Sequence, residues 1–155
     1  MLSSSNTVEN VDEIPIWLAD RVFHVTTLVS LRQIQSSKAI FPNDQLRYSS
    51  EFGCFENGYF RNKKCVSFFD YRNFGSEEWR ENAYKCIPTL PLRKLDDMAI
   101  LFLKTQAYSR LIAWKEWKKG NNQSLRIVPY IEAGYPGEVP LEMISEIMTV
   151  QRGGS

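Results

Sequence analysis

The chain has 155 residues, of which 43% are hydrophobic and 24% charged, and its formal net charge is +1. These values are ordinary for one soluble globular domain that can bury a core, and the net charge argues neither for nor against a nucleic-acid partner. No apolar stretch approaches the roughly 20 residues that cross a bilayer, so we expect no membrane contact.

The two ends of the chain are predicted to be loose around one domain. Residues 1–15 start with a polar segment that lacks the basic and apolar regions of a signal peptide, and we expect them to be flexible. Residues 16–151 are predicted to form a single domain, and residues 152–155 a loose carboxyl terminus.

The cysteines indicate neither a disulfide framework nor a metal site. Cys54, Cys65 and Cys86 are an odd number without a Cys-x-x-Cys pair, and they are far apart from one another and from the single histidine. This spacing does not fit zinc, so no metal is expected. Reduced thiols in a cytoplasmic protein are the simpler interpretation.

The first predicted elements are a strand at 21–26 and a helix that follows at once. Aromatic and β-branched residues favour the strand, and apolar residues at helical spacing favour the helix. Thr26 or Thr27 can cap the helix, which is expected to end before Pro42. Residues 43–62 show no clear periodicity, and a loop of this length is usually functional or partly disordered.

The second half of the chain continues this mixture. We predict strands at 64–70, at the apolar run 98–103, at 126–133 and at 147–150. Helices are predicted from Ser76, over residues 108–119, and as a single turn at 140–144. Strands interrupted by short helices indicate an α+β domain with a mixed β-sheet.

Three short segments, taken in order, resemble a known fold: His24-Val25-Thr26 on the first strand, Val66-Ser67-Phe68 on the second, and Ile131-Glu132-Ala133 before a loop, a proline-led turn and a last strand. This order is similar to the ADP-ribosyltransferase fold, and nearest to its histidine-bearing branch of DarT-like toxins and diphtheria-toxin-type enzymes. The resemblance implies an α+β domain with a mixed β-sheet core, short flanking helices and a cleft. It also implies an NAD-dependent enzyme that transfers ADP-ribose to a macromolecular acceptor, with NAD glycohydrolase activity as a variant.

In this resemblance Glu132 is the catalytic carboxylate. Cleavage of the bond between nicotinamide and ribose passes through an oxocarbenium-like cation, which a carboxylate beside that ribose can stabilise. A solvated glutamate next to a tight Ala-Gly turn is the alternative. The account requires Glu132 to face the nicotinamide-bearing ribose across a notch whose far wall carries His24.

The resemblance also implies that His24 holds a ribose hydroxyl of NAD, while the adjoining backbone at Val25 and Thr26 holds the nicotinamide amide. A core histidine bonded to a backbone carbonyl is the alternative. The imidazole need not titrate for this role, because the role needs only one donor and one acceptor.

Ser67 matches the serine of the family's second strand, and Phe68 and Tyr71 could flank the nicotinamide ring, since aromatic faces orient a flat heterocycle. Ordinary core packing along a strand is the alternative.

Arg47 and Tyr48 lie in the long loop, where a guanidinium could pair with the NAD pyrophosphate and a tyrosine could stack. An exposed turn arginine is an equally good interpretation. The sequence does not choose the stacking tyrosine among Tyr48, Tyr59 and Tyr71.

The sequence does not identify the molecule that accepts the ADP-ribose. Basic residues among the aromatics of residues 60–74 are compatible with single-stranded nucleic acid, and the aromatic-basic segment at 114–119 suits a protein partner equally. A small domain of this kind fits a bacterial or phage toxin, effector or defence component, with an antitoxin or inhibitor protein as a partner. Two rival interpretations are a non-catalytic domain of this fold that binds NAD, ADP-ribose or a protein, and a Cys–His hydrolase using Cys54 or Cys65 with His24.

Overall fold

The computed structural model describes residues 1–42, 60, 63–119 and 127–154. The strands of these parts are β1 (Leu2–Val8), β2 (Val22–Thr26), β3 (Ala39–Ile40), β4 (Cys65–Asp70), β5 (Asp97–Leu103), β6 (Ile112–Ala113), β7 (Glu132–Pro136), β8 (Val139–Pro140) and β9 (Ile144–Arg152). The α-helices are α1 (Leu28–Ser37), α2 (Glu77–Ala83) and α3 (Lys115–Lys119), and the 3₁₀ helices are Ile16–Leu18, Leu90–Arg93, Thr105–Arg110 and Leu141–Met143.

Within the described parts, seven strands form one mixed sheet in the order β1-β9-β5-β2-β4-β7-β6, and β3 pairs with β8 in a separate small sheet. The β1–β9 pair is parallel, and the other pairs are antiparallel. The predicted α+β class with a mixed sheet and short helices is therefore confirmed. None of the described helices is long and apolar enough to cross a membrane.

One face of the sheet forms the larger apolar layer. Phe23, Phe69 and Phe102 point to this face and pack with Leu18 and with Trp79 of α2. Phe23 and Phe69 are stacked, with ring centroids 5.2 Å apart, which fixes the pairing of β2 with β4 at this point.

The other face is covered mainly by α1. Leu31 and Ile34, one turn apart on α1, pack in the same cluster as Phe68 of β4 and Leu101 of β5. Because β5 is covered on both faces, its whole run after Asp97 is apolar and buried, as the sequence predicted for residues 98–103.

Two helices begin where the sequence predicts, at Thr27, which is a predicted cap, and at Ser76, and a side chain caps each start. Thr27 accepts a hydrogen bond from the backbone N–H of Ser30 at 3.1 Å, and Ser76 accepts one from Trp79 at 3.2 Å. The first helix ends at Ser37, where Lys38 adopts a left-handed conformation, so the predicted strand–helix–turn order is confirmed.

The prediction of loose chain ends is wrong for residues 2–8 and 152–153. The β1 strand pairs in parallel with β9, Val8 lies opposite Arg152, and the N–H of Gly153 donates to the Val8 carbonyl at 2.8 Å. Ser4 also donates a hydrogen bond to Glu146 of β9. Backbone pairing at a sheet edge does not need apolar side chains, which is why composition alone suggested a frayed end.

The predicted helix at 108–119 is also wrong in part. Ile112 and Ala113 pair with Gly134 and Ala133, so β6 interrupts the helical pattern and leaves a 3₁₀ helix before it and α3 after it. The predicted strand at 126–133 is displaced: β7 begins at Glu132, after a turn in which the N–H of Ile131 donates to Val128.

A substitution at Gly134 tests how closely the Phe60 ring packs against β7. A methyl group at this position would collide with the buried ring of Phe60, so Gly134→Ala is expected to lower the free energy of unfolding by about 1–3 kcal/mol and Tm by several degrees. The control is Gly154→Ala, where an added Cβ meets nothing within 4 Å. Thermal unfolding of the two variants checks this, and equal Tm values would contradict the described packing.

Candidate functional site

The candidate site lies where the pairing between β2 and β4 ends. The ladder consists of Val22 opposite Asp70 and Phe23 opposite Phe69, although both strands continue beyond it. From there β2 remains paired with β5 as far as Thr26, and β4 remains paired with β7. The backbone groups that the two strands would have shared therefore need other partners.

His24 supplies one of these partners. Its Nδ1 lies 2.9 Å from the carbonyl oxygen of Ser67, two residues before Phe69, where the next ladder bond would fall. A carbonyl oxygen can only accept, so Nδ1 carries the proton and, in the neutral ring, Nε2 is left as an acceptor. Burial lowers the pKa of His24, and the bond to Ser67 opposes this only in part, so the ring is neutral at physiological pH.

Glu132 is the first residue of β7 and lies opposite Phe69. Its Oε2 accepts a hydrogen bond from the backbone N–H of Val128 at 2.5 Å, across the turn that leads into the strand. Burial raises the pKa of Glu132, and the bond from Val128 opposes this only in part. The carboxylate is thus fixed in position but weakly solvated.

Cys86 lies close enough to Glu132 to interact with its charge, and Tyr71 lies in the same apolar layer as Cys86. Burial, together with the charge of Glu132, raises the pKa of Cys86 to about 12, so its thiol stays protonated. Burial also raises the pKa of Tyr71, and the nearby Cys86 raises it further. The Tyr71 hydroxyl is buried and forms no hydrogen bond with any described residue. Cys86 and Tyr71 are therefore uncharged, and neither balances the negative charge of Glu132.

The register of the strands contradicts the expectation that His24 and Glu132 face each other across a notch. Directly paired residues share a face, so Glu132 and Phe69 lie on the face of the larger apolar layer, whereas His24 pairs with Leu101 on the opposite face. The His24 ring accordingly lies 5.8 Å from that of Phe68. The two candidate side chains border the end of the β2–β4 ladder from opposite faces.

The other predicted site residues have different environments. Ser67 is exposed, whereas Phe68 and Tyr71 are 1% and 0% exposed and pack inside the two apolar layers. Their buried rings leave no open face for a nicotinamide, so the core-packing alternative describes both. Val25 and Thr26 are half-buried on β2. Arg47 and Tyr48 lie outside the described residues, as do Tyr59 and Cys54.

The alternative of a Cys–His hydrolase named Cys54 or Cys65 as the nucleophile, and the environment of Cys65 does not support it. Burial raises the pKa of Cys65, which makes the thiol a poorer nucleophile, and its Sγ contacts the carbonyl oxygen of Lys63 at 3.6 Å. Across the described ranges, no group of three or more His, Cys, Asp or Glu residues could hold a metal ion.

Sequence reasoning missed the turn that holds Glu132. Val128 acts through its backbone N–H, and no residue type marks that role in a sequence. Tyr130, in the same turn, has a φ of 64°, a left-handed conformation that is rare for bulky residues. The nearest sequence signal is the Pro129-Tyr130 pair in what was predicted as a strand, since proline disfavours a central strand.

Comparisons with known proteins do not assign this site to a family. No family model, no curated protein and no solved structure matches the chain. Functional conclusions therefore rest on the geometry and on the resemblance of the three segments.

The raised pKa of Glu132 has a consequence for stability. The folded state holds this proton more tightly than the unfolded state, whose value is near 4.5, so the stabilising contribution is full below that pH and is lost as pH rises through the folded pKa. A glutamine does not suffer this loss and can still accept from Val128. We expect Glu132→Gln to raise Tm at neutral pH, with a gain that shrinks toward about pH 4.

Thermal unfolding between about pH 4 and pH 8 measures this difference. The matched control is Glu138→Gln, because Glu138 is exposed in the following loop and should leave Tm unchanged. A Tm for the Glu132 variant that is equal to or below that of the wild type at neutral pH would disprove the burial of a charged carboxylate.

Proposed function

We propose that the protein is an NAD-dependent ADP-ribosyltransferase that transfers ADP-ribose to a macromolecular acceptor. The bond between His24 and the Ser67 carbonyl is the contact that the core-histidine alternative describes. The observation that carries the proposal is that β2, β4 and β7, which hold the three segments of the resemblance, are neighbours in the sheet. The bond to Ser67 fixes an imidazole acceptor at the place where β2 and β4 stop pairing. The next strand, β7, carries the half-buried Glu132. The three segments of the resemblance contribute to this one region of the sheet.

The chemistry of Glu132 fits this reaction. A weakly solvated carboxylate interacts more strongly with a positive charge than a fully hydrated one does. The charge that develops on ribose as nicotinamide departs would therefore be stabilised more than the neutral sugar of the ground state. The hydrogen bond from Val128 keeps Oε2 in place, and the other carboxylate oxygen remains to accept from a ribose hydroxyl.

The proposed role of His24 is to bind the dinucleotide, not to transfer a proton. Its unprotonated Nε2 can accept a hydrogen bond from a second hydroxyl of the dinucleotide, and its Nδ1 proton is already used by Ser67. Because the two side chains belong to opposite faces, the proposal requires the dinucleotide to enter between β2 and β4 beyond Phe23. A bacterial or phage toxin or defence component, opposed by an antitoxin or inhibitor protein, remains the setting that we propose.

A second candidate is a domain of the same fold that binds NAD or ADP-ribose without turnover. The placement of Glu132 and His24 on opposite faces favours this candidate, because catalysis needs the carboxylate to be within contact distance of the ribose that His24 helps to hold. Binding and turnover of NAD separate the two candidates.

The test is NAD consumption by the purified protein, with and without a cell lysate as acceptor source. We expect Glu132→Gln to reduce the rate by roughly a hundredfold to a thousandfold, since it removes the charge opposite the developing cation. The exposed control Glu138→Gln should keep the wild-type rate. Turnover that survives in the Glu132 variant would refute the proposed role of the carboxylate, and NAD binding without turnover by the wild type would favour the binding domain.

A further inference from the structure

The strand β1 forms one edge of the seven-stranded sheet. It pairs with β9 on one side, and the register of this pair runs from Leu2 to Val8 without a shift. Edge strands usually carry a charge, a proline or a bulge that prevents another strand from pairing with them. The residues of β1 are all uncharged and include no proline, and its regular register leaves no bulge. This edge can therefore accept a further strand.

A hydrogen bond at the end of β1 shows which of its backbone groups face outward. The Val8 carbonyl accepts from the N–H of Gly153 at 2.8 Å, so it points toward β9. Backbone groups alternate in direction along a strand, and those of every second residue point the same way. The residues of β1 that direct their N–H and C=O groups away from the sheet are therefore Ser3, Ser5 and Thr7.

One of these outward N–H groups already has a partner. The Thr7 N–H donates to the side-chain oxygen of Asn6 at 2.9 Å. The N–H groups of Ser3 and Ser5 have no acceptor among the described residues, and the side chains of both serines are exposed. The open part of the edge is thus the backbone of Ser3 and Ser5.

We propose that two copies of the chain pair through this edge, with their β1 strands antiparallel about a twofold axis. With Ser4 opposite the same residue of the second copy, Ser3 of each copy exchanges both of its backbone hydrogen bonds with Ser5 of the other. The hydroxyls of each such pair lie side by side on one face, where cross-strand hydroxyl pairs are favourable. This interface does not depend on the proposed function.

A second copy fits the edge better than a peptide from another protein. Peptides that add a strand to a sheet are selected by pockets for their alternate side chains. The outward residues of β1 carry small hydroxyls, which offer little to distinguish one peptide from another. A second copy needs no such pocket, because the twofold arrangement itself places each N–H opposite a C=O. No like charges meet in it, since β1 is uncharged.

The proposed interface is small, so we expect a reversible dimer. Pairing along one short edge is expected to bury less than the roughly 1,000 Å² of a stable interface, and the Kd should lie between about 1 μM and 1 mM. The strands β9 and β5 separate β1 from β2 in the sheet. The dimer therefore does not involve the region of His24 and Glu132.

The first test measures association by sedimentation equilibrium at protein concentrations up to about 1 mM. Ser5→Pro removes an outward donor and places the proline ring where the second strand must lie, whereas an edge strand tolerates proline when the lost N–H faces solvent. We expect this variant to weaken association at least about tenfold. The matched control is Ser5→Ala, which keeps the N–H and should weaken association a few-fold at most.

A second variant keeps the test valid if the proline variant unfolds. Ser5→Lys leaves the backbone donor in place and adds a charge to an exposed side chain, which is a common way in which natural edge strands block pairing. We expect it to keep the wild-type Tm and to weaken association as well. Thermal unfolding of each variant confirms that it is folded.

Amide hydrogen exchange, followed by NMR, locates the interface. The N–H groups of Ser3 and Ser5 should exchange more slowly as the protein concentration rises. Those of Ser4 and Asn6, which face β9, should be protected at every concentration. Association through another surface would not produce this alternation.

The outcomes either support or overturn the proposal. A concentration-dependent dimer that Ser5→Pro weakens, with slowed exchange at Ser3 and Ser5, supports it. A monomer at every concentration, or a dimer that forms equally well in the Ser5→Pro and Ser5→Lys variants, would overturn it. Protection of Ser3 and Ser5 at all concentrations would also reject it, because another segment of the same chain would then cover the edge. Protection that appears only when an extended peptide of unrelated sequence is added would assign the edge to another protein and reject the dimer.

Discussion

The structure depends on a sheet whose central strands are covered on both faces. Where a ladder between such strands ends, the backbone polar groups need other partners, which side chains or water can supply. The ladder between β2 and β4 ends after Phe23 and Phe69, and the carbonyl of Ser67 would then lose its partner. The His24 imidazole supplies that partner, so the side chain that continues the hydrogen bonding between the two strands is also the polar group that the candidate site offers.

The same constraint explains the state of the two titratable groups. Burial disfavours the charged form of each, which lowers the pKa of His24 and raises that of Glu132. Each group has one backbone hydrogen bond that fixes its geometry without balancing its charge. A carboxylate of this kind costs folding free energy, and such a cost is typical of positions kept for a function rather than for stability.

Much of the sheet could be predicted from local signals, and the site could be predicted only in part. The cap at Thr27 and the apolar run of β5 act within a few residues, so the sequence identifies them. The pairings of β1 with β9 and of β6 with β7 join segments distant in sequence, and polar or helix-like patterns conceal them. The faces of His24 and Glu132 depend on the register of four strands, β5, β2, β4 and β7, where a shift of one residue would reverse the result.

The most direct test of the account uses the fact that His24 is the only histidine in the sequence. Nitrogen NMR of the imidazole in the untagged protein therefore reports this one group. We expect a proton on Nδ1 and none on Nε2, a titration midpoint below 6.5, and a change of the Nε2 resonance when excess NAD is added. A proton on Nε2 in the neutral ring, or a spectrum that NAD leaves unchanged, would contradict the claim that His24 closes the sheet and binds the dinucleotide.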